Sequence, residues 1–258
     1  MLYSRYQAAR DAAWRTLIRF DISSLPVDVE KIAKELRIDI QPWPDKTQTP
    51  VLFALLPENA AAASLRIDGV WRIFTKPNLP YSRYRFAVAH ELGHLILQHK
   101  TVKLKNGVYT FDGLENAGDI LPEAEKESDT DADMFAIRLL APACVLHSLQ
   151  MHNQQAIAAL CGLPERAAAM RGDRMALLDS RNAYGIHPLE KQVHRQFAPF
   201  IRKKKQEQVP ERKWPEGPVM DAVLPMAPEM PEKKPLPLWV FAAGAAVLIA
   251  LGFLLLKG

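Results

Sequence analysis

Cysteine is nearly missing: Cys144 and Cys161 are the only two in 258 residues. Two thiols supply no disulfide framework, which excludes a cross-linked secreted scaffold and points to a reducing compartment. Cys144 and His147 share a C-x-x-H spacing, but no second pair stands nearby to complete a metal site, so both thiols read as helix-packing residues. An excess of charge of one sign is also absent. The 33 basic residues face 29 acidic ones, a net charge of +4, and this balance argues against direct nucleic-acid binding. The opening stretch MLYSRYQAARDAAWRTLIRF has no apolar core and no cleavage site, so it does not read as a signal peptide. No internal repeats are visible.

What the chain does have is concentrated in Arg83–Gln98, RYRFAVAHELGHLILQ. It carries His90-Glu91-Leu92-Gly93-His94, the HExxH spacing, in a run apolar enough to bury most of a helix. On a helix, His90 and His94 lie within roughly 40° of each other, so their imidazoles project in parallel at a separation one tetrahedral Zn2+ accepts. Glu91 sits roughly 100° round the axis, placed to act as a base towards water rather than as a ligand. A metzincin would also need Gly at position 97 and His at position 100; those places hold Leu97 and Lys100. The third ligand must come from elsewhere.

A second feature closes the chain. Leu238–Leu256, LWVFAAGAAVLIALGFLLL, is an uncharged apolar run that would form a helix roughly 28 Å long, close to the hydrocarbon thickness of a bilayer. Trp239 stands where an interfacial aromatic belongs. Lys233 and Lys234 precede it, with Lys203–Lys205 further back and Lys257 after it, a distribution that favours the N-terminal domain on the cytoplasmic side. The expectation is a tail-anchored, single-pass protein of the inner membrane.

Taken in order, residues 5–20 predict a first helix, and Asp28 caps a second with Val29, Ile32, Ala33 and Leu36 on one face. Ile38 and Ile40 predict a short strand, and the apolar run Val51–Leu56 another. Asp68-Gly69 predicts a type I′ hairpin turn between strands ending at Ile67 and starting at Val70. The metal helix is expected to begin near Ser82 as its cap. Residues 99–124 form a long connection with a short strand around Val108–Phe111, followed by a helix over Glu123–Leu140 that opens on acidic residues. On that helix Asp129 and Asp133 share a face while Asp131 points elsewhere. Further helices are expected at about 143–160, 164–180 and 188–201, and His147, His152, His187 and His194 read as surface or structural. From Arg202 to Pro237 the chain carries eight prolines and no apolar periodicity, a linker. The fold class is α+β: a mostly helical domain over 1–201 with a small antiparallel sheet, a linker over 202–237 and a transmembrane helix over 238–256.

These segments resemble the ImmA/IrrE family of metallo-endopeptidases. The carriers are R-x-R-F-A-V-A-H-E-L-G-H and the later D-T-D-A-D-M-F-A-I-R-L-L-A-P, with CGLPERAAAMRGDRM and HPLEKQVHRQFAPFI fitting further on. The resemblance implies a zincin-like fold and cleavage of a helix-turn-helix (XRE-type) transcriptional repressor as protein partner. It puts the metal on His90, His94 and Asp129, with Glu91 as catalytic base and Asp133 behind a ligand histidine, accepting a hydrogen bond from it. The family usually has Glu where this chain has Asp129. The shorter stem requires its helix about 1.5 Å nearer, or a shift of the ligand to Asp131. Tyr84 and His99 are neighbours in sequence that could assist an oxyanion or serve structure. The competing expectation is a non-catalytic, membrane-tethered binding module with a degenerate or structural metal site.

Overall fold

The structure is a computed structural model, and it describes residues 3–57, 59–104, 107–111 and 123–208. The expected span 238–256 and the linker beyond Gln208 lie outside these residues. Among the described residues no helix is long and apolar enough to cross a membrane.

Helix α1 (Tyr3–Arg19) opens the chain, then α2 (Val29–Glu35), β1 (Asp39–Pro42) and a single-turn α3 (Pro50–Phe53). Asp28 caps α2 as expected, its side chain accepting from the Lys31 amide at 2.8 Å. The expected strand at Val51–Leu56 is instead this turn of helix, because Pro50 sits in its first turn, where a missing N–H costs nothing. Strands β2 (Ala62–Ile67) and β3 (Val70–Thr75) form the predicted hairpin. Asp68 and Gly69 both hold positive φ, 52° and 79°, as a type I′ turn requires.

Helix α4 (Tyr81–Ile96) follows, then β4 (Thr101–Lys103), β5 (Tyr109–Phe111) and the long α5 (Glu123–Leu140). Ser82 is not the cap of α4: the helix starts one residue earlier, on Pro80, whose extended backbone leads into it without a side-chain bond. The helix expected over 143–160 is two, α6 (Ala143–Ser148) and α7 (Gln154–Cys161). Gln150 at φ 56° turns the chain out of α6, and Asn153 caps α7 by accepting from Gln155 and Ala156 amides. Then come α8 (Glu165–Ser180), α9 (Pro188–Gln196) and α10 (Ala198–Gln208). Helix α10 continues through Lys203–Lys205, so ordered helix enters the stretch expected as linker.

The sheet is mixed rather than antiparallel, in the order β1-β3-β2-β5-β4, with β1 parallel to β3 and every other pair antiparallel. A hairpin is a local event that turn residues specify. Which edge β1 joins is decided by residues 43–61, which carry the chain back so that β3, the hairpin's return strand, lies between β1 and β2. One face of the sheet packs against α4 in a core that gathers Leu17, Ile32, Ile73, Val88, Leu92, Phe135, Leu139 and Phe197. The other face carries a smaller cluster of Leu56, Ala63, Leu65, Phe74 and Val108. Helix α5 is the central element, packing on α4 along one side and on α1 along another.

Candidate metal centre

Helices α4 and α5 cross at closest approach around Gly93. A Cβ added there would stand 3.1 Å from Ala132 Cα and 3.1 Å from Phe135 Cδ1. Small residues on both sides, Gly93 against Ala132, let the two backbones come together. This answers the shorter reach of aspartate: the helix bearing Asp129 is close because glycine and alanine let it be.

At the crossing, His90 Nε2 and His94 Nε2 lie 3.0 Å apart, and Asp129 Oδ1 lies 3.4 Å from His94 Nε2 and 3.9 Å from His90 Nε2. Three donors at about 2.1 Å from one tetrahedral ion would be separated by roughly 3.4 Å. The observed spacings bracket that value, so the two imidazoles and the carboxylate fit a single ion, and a three-residue donor set leaves a fourth position open. Asp131 is elsewhere. Its Oδ2 accepts from Arg5 Nε at 2.8 Å on α1, and Arg5 also pairs with Glu127.

Each histidine is held from behind. His90 Nδ1 meets Asp133 Oδ1 at 2.8 Å, which assigns the proton to Nδ1 and leaves the Nε2 lone pair facing Asp129. Burial opposes charge on His90, yet the bond to Asp133, with Glu91 and Asp129 nearby, raises its pKa above the usual value. Burial likewise opposes charge on Asp129, but His94 and His90 outweigh it and keep the carboxyl ionised below the ordinary range. His94 Nδ1 meets His99 Nδ1 at 2.9 Å, and its ring stacks on Phe111 with centroids 5.0 Å apart.

His99 reaches that position through the helix terminus. Gln98 takes φ 56°, its amide bonds Leu95 O, and the His99 amide bonds His94 O at 3.1 Å, the paired bonds of a Schellman ending. That motif brings the residue after the left-handed position against the residue five before it, here His99 against His94. Burial first, with His94 and His90 beside it, pushes the His99 pKa down to about 4, so His99 is a neutral acceptor for His94 Nδ1–H. Tyr84 faces the other way, towards Glu30 of α2.

Glu91 is buried, and Ser64 Oγ of β2 donates to its Oε2 at 2.7 Å. Ser64 is fully buried on the face of β2 that meets α4. Sequence reading passed over Ser64, and it named His99 only as a neighbour that could assist an oxyanion or serve structure, not as the partner of His94. The available signals were a lone small polar residue amid the alternation of a buried strand, and a histidine at the place a Schellman ending pairs with His94.

His90, Glu91, His94, Asp129 and Asp133 all line one cavity of about 610 Å³. The cysteines take no part. Cys144 and Cys161 are buried, and burial pushes both thiols up to about 12. Of the remaining histidines, His147 and His152 face Asp179, His194 contacts Ser148, and His187 caps α9 through Nδ1.

Compared with known protein families, residues 46–172 match the family model Peptidase_M78, described as the IrrE N-terminal-like domain. A comparison with curated proteins gave no match.

Proposed function

Residues 46–172 belong to the family of IrrE N-terminal-like domains, and from that membership we propose that this protein is a zinc-dependent metallo-endopeptidase. His90, His94 and Asp129 would hold the metal, and the observation that carries the reading is their convergence beside Glu91 in one cavity. Zinc bound there would supply Lewis-acid polarisation of a carbonyl and bring a water within reach of deprotonation near neutral pH. Glu91 takes the proton as water attacks the scissile carbonyl and delivers it to the leaving amine. Ser64 holds the Glu91 carboxylate by its hydrogen bond at 2.7 Å, which fixes the base without neutralising it. Asp133 and His99 fix the ring orientation and tautomer of His90 and His94.

The substrate we propose is a protein, a helix-turn-helix (XRE-type) repressor. The resemblance of the HELGH and FAIRLLAP segments to ImmA/IrrE peptidases supports this. We further propose that the apolar run 238–256 anchors the chain in the inner membrane with the peptidase on the cytoplasmic side. The basic residues before that run and the two free thiols support this arrangement.

Glu91→Gln tests the function directly. It should retain zinc at one ion per chain while cleavage of a candidate repressor falls by about a thousandfold. Full cleavage by Glu91→Gln would refute the assignment. Zinc retention with an intact partner bound tightly by the wild-type chain would favour a non-catalytic binding module.

A further inference from the structure

The cavity extends well past the metal-ligating atoms, and each helix around it contributes one stripe. Beyond the metal-centre residues, Arg83 and Phe86 come from α4, Ile137 from α5, and Arg166 and Met170 from α8. The carboxylates in this lining are engaged: Glu91 by Ser64, Asp133 by His90, and Asp129 by the two histidines. The two guanidiniums are not. Neither Arg83 nor Arg166 has an ion-pair or hydrogen-bond partner among the described residues, and both are exposed.

Arg83 stands seven residues before His90 on the same stripe, which places it about 10 Å up the helix from the metal-ligating rings. An extended peptide covers that distance in about three residues at roughly 3.4 Å each. Phe86, Ile137 and Met170 line the same groove, an apolar surface that suits an aliphatic or aromatic side chain.

We infer that this groove selects extended peptides carrying an acidic side chain about three residues from the scissile bond, with Arg83 and Arg166 as its receptors. The inference deepens the peptidase reading and rests on it. It concerns which segment of a protein is admitted, not whether the segment is cut.

Binding is therefore measured without cutting, on the full-length zinc-loaded Glu91→Gln protein. Fluorescence anisotropy would follow three labelled peptides of otherwise identical, uncharged, apolar-centred sequence, bearing Glu, Gln or Lys at one position that is moved stepwise along the chain. The Glu peptide should bind about fivefold tighter than its Gln counterpart at its best position, and the Lys peptide more weakly than either. Added salt should erode the preference. In the Arg83→Gln/Arg166→Gln background the Glu peptide should fall to the affinity of the Gln peptide, with an unchanged melting temperature, since both side chains are exposed. Equal affinities across the three peptides, a preference that survives the double substitution, or no binding by any of them would overturn the inference. Failure of the peptidase reading shows separately, as absence of Glu91-dependent cleavage.

Discussion

At the α4–α5 crossing, His90 and His94 turn Nε2 towards each other at 3.0 Å and share Asp129 Oδ1. Near the end of α8, His147 and His152 each turn Nδ1 towards a different oxygen of Asp179, at 3.3 and 3.1 Å. The residue types are the same in the two places, and the geometry is not. The first pair comes from one helix at i, i+4, with the rear nitrogens tied to Asp133 and His99 and the His94 side chain only 6% exposed. The second pair comes from α6 and the turn after it, with ring centroids 6.4 Å apart and side chains about half exposed at 46% and 48%. A metal site needs lone pairs that meet at a point and rings prevented from turning away. Among the described residues, only the first group has ligand atoms close enough to one another to hold an ion.

The sharpest break of this comparison is removal of each carboxylate in turn. Asp129→Ala should lower zinc affinity by more than about a hundredfold, and Asp179→Ala should leave zinc content unchanged. Asp131→Ala, which severs only the link to Arg5, should keep zinc as well. Chelator competition on the three variants measures this, and zinc retained by Asp129→Ala would move the ligand elsewhere.

The next test exchanges glycines. Gly93→Ala forces α4 and α5 apart at contacts of 3.1 Å and should cost about 1–3 kcal/mol with weakened zinc binding. Gly172→Ala, on α8 beside the second cluster, meets nothing nearer than His152 O at 3.6 Å and should stabilise by up to about 1 kcal/mol. Thermal melts with and without zinc report both. A Gly93→Ala protein as stable and as metal-competent as wild type would show that close approach is not what positions Asp129.

The smallest effect expected is that of His99→Ala. Loss of the acceptor behind His94 should weaken zinc by about tenfold while leaving the fold intact. Restoration by His99→Asn, which keeps an acceptor, would separate an orienting role from simple packing.

How much of this was legible before the fold was known follows the range of the physics. The helix that carries His90–His94, the Asp28 cap and the Asp68-Gly69 hairpin are short-range features, written in adjacent residues, and all three appear as read. The parallel pairing of β1, the single turn at Pro50–Phe53 and the break between α6 and α7 depend on what the rest of the chain brings alongside, and local pattern did not reveal them. The same divide runs through the site. His90, Glu91 and His94 could be named from spacing alone. The resemblance put the third ligand at Asp129 and left Asp131 open; that Asp129 is the one lying beside the two histidines follows from the Gly93–Ala132 contact and the hold of Arg5 on Asp131, while the contacts of Ser64 and His99 needed a strand face and a helix ending.

One buried cation carries a further consequence. Arg85, only 1% exposed, donates to the carbonyls of Val27, Cys161 and Gly162, and Gly162 at φ 60° leaves no room for a side chain beside it. Val27 precedes the family-matched segment 46–172, as does Arg5, which braces α5 through Asp131 and Glu127. A fragment trimmed to the matched boundaries would strand a guanidinium in the interior with one of its acceptors missing, and would unbrace the helix that offers Asp129. The physical unit that holds Asp129 in place therefore begins at the first helix and is longer than the family-matched segment.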